Sequence, residues 1–258
     1  MSKEPTLRQR IHNAAGSQAV ENIHAQHAYL HARAASAEEW DNLWSHSDQA
    51  AWGHVFGRMR GFESVYRGSV TSYDAIVYNY YNSIWEKYPQ IGGGDPRPLT
   101  EVSMHILDTD VIEVAKDGLS ARAAFYTPGV IFSNYTPQEH KRFRFVTERY
   151  GSDFVFENGD WKYLHEQVCP DYNCSLDCEN WAQTVYQTAK TNQRPDAELA
   201  SGGGSKRPPL EEPGPLHFEY SPAQPAVDSV PWPEPYETLD DDHTYAKHWP
   251  PKDTAQGD

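Results

Sequence analysis

EVSMHILDTDVIEVAKDGLSARAAFYTPGVIFSNYTPQEHKRFRFVTERYGSDFVFENGDWKYLHEQVC, residues 101–169, decides the fold. Apolar and polar residues alternate along it with the period of a strand, and two turn signals cut the runs, Lys116-Asp117-Gly118 and Asn158-Gly159. The pattern predicts strands over 101–115, 120–132, 141–156 and 161–169, joined by tight turns into an antiparallel sheet. Upstream, Val20, Ile23, Leu30 and Ala34 recur at helical steps with His27 in the same stripe, which predicts an amphipathic helix over 18–35. A short helix over 38–44 buries Trp40, Leu43 and Trp44, and a strand over 50–56 sets Trp52, His54 and Phe56 on one face. A long helix follows over 62–88, its stripe dense in tyrosines such as Tyr66, Tyr73, Tyr80 and Tyr88, and it stops at Pro89 and GGGDP. The predicted fold is α+β: a cone-shaped curved antiparallel sheet packed against three N-terminal helices, with a pocket between the layers.

Composition divides the chain. Of its 258 residues 38% are hydrophobic, enough for one real core, and 27 of the 33 aromatic residues precede Pro195. Residues 195–258 hold 12 of the 19 prolines and a net charge of −9 of the chain's −15, so they read as an extended acidic tail rather than a packed unit. The expected division is an extension over 1–16, a cone domain over 17–194 and the tail over 195–258. Acidic charge without a basic stripe argues against nucleic acid. No apolar run is long enough to span a bilayer, and MSKEPTLRQR has no apolar segment behind it, so no membrane partner is expected. Cys169, Cys174 and Cys178, three cysteines within ten residues, suit a reducing compartment better than a disulfide framework, and the expected location is the cytoplasm.

Chemistry-bearing residues fall into two groups. His24, His27 and His31 share one helix face at a spacing that would suit zinc, yet metal-ligating helices usually bring in a carboxylate or another segment's ligand, and histidines on a half-polar pocket need no metal. The reading is no metal and no cofactor, since phosphate- and dinucleotide-binding motifs, the nucleophile elbow and the metalloprotease motif are all missing. The second group lies on strands: His105 among Val102, Met104, Ile106 and Leu107, and His165 on the face that alternation assigns to Trp161, Tyr163 and Gln167. His105 and His165 are a candidate acid/base pair, and Tyr126 in AFYTPG is a candidate pocket wall. Arg142 and Arg144 alternate with Phe143 and Phe145, which gives that strand two chemically different faces.

The order of elements, together with VENIHAQHAYLH, DQAAWGHVFG, MHILDTDVIEVAKDGLSARAAFYTPG and ERYGSDFVFENGDWKYLHEQV, resembles the SnoaL-like branch of the nuclear-transport-factor-2-like superfamily over about residues 18–182. The resemblance implies a cone-shaped barrel whose apolar cavity serves cofactor-free isomerases, dehydratases and cyclases as well as ligand binding. It implies a catalytic histidine at His105, while the position of the dehydratases' partner aspartate holds His31. The HAYLH helix and the YSP and PEPYET tail segments look closer to the subgroup that includes bacterial diarylpropane γ-formaldehyde lyases, with His165 retained in YLHEQ and Gln167 where a second histidine stands.

The expected function is therefore a cofactor-independent lyase or dehydratase acting by acid/base chemistry on a hydrophobic, phenolic aromatic compound of the lignin-dimer type. His105, His31 and His27 are the expected catalytic residues, and Trp52, His54, Tyr80, Tyr126, His165 and Gln167 the substrate-binding ones. The alternative is a non-catalytic small-molecule binder or an isomerase of the same fold; a scaffolding protein is a third class. A homodimer or homotrimer is expected, with residues from Phe218 to Trp249 wrapping a neighbouring subunit.

Overall fold

The computed structural model describes residues 5–32, 35–54, 57–63, 101–106, 108–133, 142–175, 212–213, 230–240 and 244–245. Two helices, α1 (Leu7–Ala32) and α2 (Ser36–Leu43), precede the strands β1 (Ala51–His54), β2 (Gly57–Arg60), β3 (Glu101–His105), β4 (Asp108–Val114), β5 (Ser120–Ser133), β6 (Arg142–Glu157), β7 (Asp160–Ser175) and β8 (Glu212–Pro213). The sheet runs β3-β5-β6-β7-β1-β2-β8, with β4 also paired to β5. The helices cover one face and the sheet is mixed rather than purely antiparallel, because β1 pairs parallel to β7. The α+β architecture of a curved sheet under N-terminal helices is the one the sequence predicts. The third helix, predicted over 62–88, lies outside the described residues except at its first two positions.

Local chemistry explains the boundaries. α1 begins eleven residues earlier than the stripe predicts, because Thr6 and Gln9 form a capping box: the Gln9 amide donates to Thr6 Oγ1 (3.3 Å) and the Thr6 amide to Gln9 Oε1 (2.9 Å). Residues 7–16, expected in an extension, form the mostly exposed opening turns of α1, with Gly16 buried. Their His12 donates from Nε2 to the Gly118 carbonyl (3.0 Å), and Gly16 leaves just enough room for the Trp161 ring. The single strand predicted over 101–115 is two, β3 ending at His105 and β4 beginning at Asp108, and both pair with β5; within β4 the register shifts between Asp108 and Val111, where Thr109 adopts a left-handed conformation (φ 52). The hairpin between β6 and β7 turns at Asn158 (φ 54) and Gly159 (φ 90), the pair of positive φ angles a tight two-residue turn requires.

Alternation sorts the two faces of the sheet. Ala121, Ala123 and Phe125 on β5 stand opposite Phe154, Ser152 and Tyr150 on β6 and meet Val20, Ile23 and Leu30 of α1 in the core. Trp44 stacks between Trp40 (3.8 Å between ring centroids) and Tyr163 (5.1 Å), which pins the end of α2 to β7. Among the described residues no helix is long and apolar enough to cross a membrane.

On the outer face the tail returns to its own chain. Asp153, fully buried, accepts from His165 Nδ1 (2.9 Å), Arg122 Nε (3.3 Å) and the Tyr245 amide (2.8 Å). The Arg122 guanidinium lies over the Tyr245 ring (4.7 Å), whose hydroxyl donates to the Pro231 carbonyl (2.6 Å). The ring rests on Gly151, where an added Cβ would come within 2.5 Å of it. Val230 and Tyr245 also bury the Cys169 thiol, a free cysteine whose pKa burial pushes up. Residues from Phe218 to Trp249 were expected on a neighbouring subunit; the described part, 230–240 and 244–245, lies as a strap on the sheet of its own chain. Tyr245→Ala is expected to cost about 3 kcal/mol and to lower Tm by roughly 5–10 °C. An unchanged Tm, with Cys169 no more reactive toward thiol reagents than before, would show that the strap contributes nothing.

Candidate active site

The inner face gathers titratable groups into one row. Helical spacing stacks the rings of His24, His27 and His31 nearly parallel, with centroids 5.9 and 5.7 Å apart, and His31 meets His105 of β3 at 5.4 Å. A carboxylate stands at each end: Glu39 of α2 bonds His27 Nδ1 (2.8 Å), and Glu148 of β6 lies 3.5 Å from His105 Nδ1. Glu166 of β7 accepts from the Trp52 indole (3.1 Å), Glu148 from the Tyr150 hydroxyl (2.8 Å), and Tyr163 bonds His24 Nδ1. Phe125 stacks on His24 at 3.5 Å and closes the row toward the core.

Burial and mutual charge set the protonation states. Burial alone would depress His27, but the carboxylates of Glu39, Glu166 and Glu148 outweigh it and raise its pKa to about 9. Glu39 is held low, burial notwithstanding, by the same ion pair. The other histidines go the opposite way: burial, then the charges of His105 and His27, bring His31 to about 3, and burial with His27 brings His105 to about 4. Burial lifts Glu148 and Glu166 to about 7 each. At neutral pH the row thus holds an imidazolium paired to a carboxylate, three neutral imidazoles, His24, His31 and His105, and two carboxyl groups midway through titration. Such pKa values, driven apart within one site, suit proton transfer.

The predicted site residues divide between the faces. His27, His31 and His105 are brought together, and Trp52 joins them through Glu166. His165 and Gln167 are not there. A bulge sets Phe154 opposite Tyr163 but Asp153 opposite His165, so Leu164 is an extra residue and everything after it changes face. His165 therefore binds Asp153 and the Gln49 carbonyl (3.0 Å) under the strap, and Gln167 sits on the outer side opposite Gly151. The expected His105–His165 pair is thus split across the sheet. Tyr126 also faces outward, 45% exposed, with the Arg149 guanidinium 5.8 Å from its ring. His54 lies opposite Val168 in β1, with its side chain outside the described part, and Tyr80, Phe218, Trp249 and Cys178 lie outside the described residues, as do the side chains of Arg142, Phe143, Arg144 and Cys174.

Sequence reasoning missed the carboxylates. Glu148 was legible, since it alternates with Val146, Tyr150 and Phe154 on the buried face of β6. Glu166 was not, because only the bulge turns it inward. Glu39 needed the α1–α2 packing, which brings it to His27 twelve residues away. Where the resemblance implies an aspartate at the position of His31, this chain supplies carboxylates from α2 and β6 instead. The parallel rings of His24, His27 and His31 have separate partners and do not converge as zinc ligands would.

No protein-family model matches the chain, and no curated protein matches it. Solved structures are similar in chain path. A hexachlorocyclohexane dehydrochlorinase, LinA type 2, is 13% identical with a TM-score of 0.46 over 69% of this chain and 97% of that one. LinA type 3 from Novosphingobium barchaimii is 12% identical with a TM-score of 0.45, over 67% and 95%. An NTF2-like protein with a cystatin-like fold from Novosphingobium aromaticivorans is 13% identical with a TM-score of 0.43, over 75% and 99%.

The row makes stability depend on pH with a definite sign. Below the unfolded histidine value both states carry the His27 proton; above it only the folded state does, until pH passes about 9. Stability is therefore expected to fall between pH 7 and 9, by at most about 1.4 kcal/mol per pH unit, the slope of one proton. Below pH 7, Glu148 and Glu166, which favour low pH, oppose His31 and His105, which favour high pH, so the upper window reports His27. Urea unfolding across this range should show the slope in the native sequence and a flatter one in Glu39→Gln.

Proposed function

We propose that the chain is a cofactor-independent lyase of the dehydratase type, acting by acid/base chemistry on a hydrophobic aromatic molecule held against the inner face. The observation that carries this reading is the row Glu39–His27–His31–His105–Glu148, a neutral imidazole at one end and an imidazolium at the other. In the proposed elimination, His105 takes a proton from the carbon adjacent to the leaving group, and Glu148 beside Nδ1 stabilises the imidazolium that forms. The C–H electron pair becomes the new C=C bond as the C–O bond breaks. His27 gives its proton to the departing oxygen, which leaves as water, and Glu39 fixes the orientation of His27 throughout. His31, in ring contact with both, offers a path for the proton to return from His105 to His27. Electrons and protons balance within the site.

Aromatic walls support an aromatic substrate: Phe125, Tyr150 and Tyr163 flank His24 and His27, and Trp52 adjoins Glu166. A para-phenol would help to expel the leaving group, because its oxygen feeds electrons through the ring toward the carbon whose C–O bond breaks. The clustered thiols, with Cys169 reduced and buried, support a cytoplasmic setting.

Mass spectrometry of reactions with phenolic monomers and dimers is the first test, followed by kinetics of the substrate it finds. His105→Ala is expected to lower kcat by about 10²- to 10⁴-fold with little change in affinity. If the variant turns over like the native protein, or if only affinity changes, the row is a binding site and not a catalyst.

A further inference from the structure

Among the described residues, His24 Nε2, Ser152 Oγ and Glu166 Oε1 are buried polar atoms with no hydrogen-bond partner. Their residues are 1%, 0% and 3% exposed, so water does not satisfy them from the surface. They share one patch of the inner face. Ser152 and Glu166 are directly opposite across β6 and β7. Tyr150, the next residue on the Ser152 side of β6, lies 6.1 Å from the His24 ring, and Tyr163, the inward neighbour of Glu166 across the bulge, bonds His24 Nδ1. An orphaned buried polar group costs folding free energy that nothing in the chain returns. Three in one patch have a common explanation in a bound polar group.

We propose that His24, Ser152 and Glu166 form a subsite selective for the hydroxyl of a phenol or alcohol, which orients the bound molecule toward His105. The inference rests on the inner face being the ligand site of the elimination reading and adds which functional group that ligand carries. The Tyr163 hydroxyl has no other acceptor among the described residues, so it donates to His24 Nδ1 and the neutral ring keeps its proton on Nε2. The patch then offers a donor at His24, a hydroxyl at Ser152 and a carboxylate oxygen at Glu166. A ligand hydroxyl satisfies all three, accepting from His24 and Ser152 while donating to Glu166. An ether or ketone accepts only and leaves Glu166 bare; a carboxylate is repelled by it. Burial raises the Glu166 pKa to about 7, so above neutrality the carboxylate is an acceptor for a phenolic proton.

Equilibrium dialysis of the full-length protein at pH 8 with 2-naphthol and with 2-methoxynaphthalene tests this, since the probes differ by the single proton the subsite reads. The native protein is expected to bind 2-naphthol about 10-fold or more tighter than its ether. Glu166→Gln should reduce that preference to about 2-fold or less, whereas Ser152→Ala, which removes a donor that both probes accept from, should weaken both by a similar factor. Tm should hold or rise in Ser152→Ala, because the deleted oxygen bonds nothing, whereas a structural serine would lower it. Equal affinity for the two probes, as expected if the atoms hold only water, overturns the subsite. So does failure to bind either probe, a preference that survives Glu166→Gln, or an affinity for 2-naphthol that is unchanged in Ser152→Ala. The elimination reading is scored separately by turnover in His105→Ala, so either can fail without the other.

Discussion

The extra residue that β7 carries at Leu164 decides what both faces of this sheet become. With uninterrupted alternation from Trp161 and Tyr163, His165 and Gln167 would point to the helices and Glu166 to the outside. The bulge reverses them: Glu166 enters the inner row beside Trp52, and His165 leaves it for Asp153. A bulge costs one ladder position and sharpens the local twist. Here it also places a carboxyl group where burial raises its pKa and a histidine where it anchors the strap through Asp153.

Inside, one ion pair organises the remaining protonation states. Removing His27 and Glu39 from water is expensive, and their attraction repays it only because the contact is short and both side chains are nearly fully buried. Once His27 holds its proton, every neighbouring imidazole is pushed the other way, for a second positive charge within a few ångströms is costly in a medium of low polarity. His24, His31 and His105 are depressed for this reason as well as by burial. Burial, reinforced by this fixed charge, thus keeps His105 neutral and able to accept a proton. The ion pair therefore sets the charge of the neighbouring imidazoles without a hydrogen bond to His105.

The sheet was legible because strand alternation and turn chemistry are local. Residues 120–132 and 141–156 were placed almost to the residue, and Asn158-Gly159 turned where a two-residue hairpin must. What failed was equally physical. The start of α1 lay in a capping box, TLRQ, whose signal is polar and easily passed over when only apolar spacing is counted. The split between His105 and Asp108, and the left-handed Thr109 that follows it inside β4, have no Gly or Pro to mark them. For the site, the helix histidines and His105 were found from their place on apolar stripes. Their carboxylates escaped because Glu39 arrives by tertiary packing and Glu166 by a bulge, neither of which leaves a periodic trace.

A polar interior of this kind weakens the protein that holds it. Each buried group without a partner costs about 1–3 kcal/mol, which against the usual 5–15 kcal/mol of a whole domain is a large fraction. The inner face has given up apolar area to carry histidines and carboxylates, so compensation must come from elsewhere. The outer face supplies it: the strap adds Val230 and Tyr245 over Cys169 and Ala124, gives Asp153 its third donor and covers Arg122 with two aromatic rings. It also bonds the Lys116 and Asp117 amides through the carbonyls of Tyr236 and Glu237, at the turn that joins β4 to β5. The same two central strands, β6 and β7, thus face a costly polar row on one side and a stabilising strap on the other. In this arrangement an acidic, proline-rich tail that cannot fold alone offsets the cost of the site beneath it.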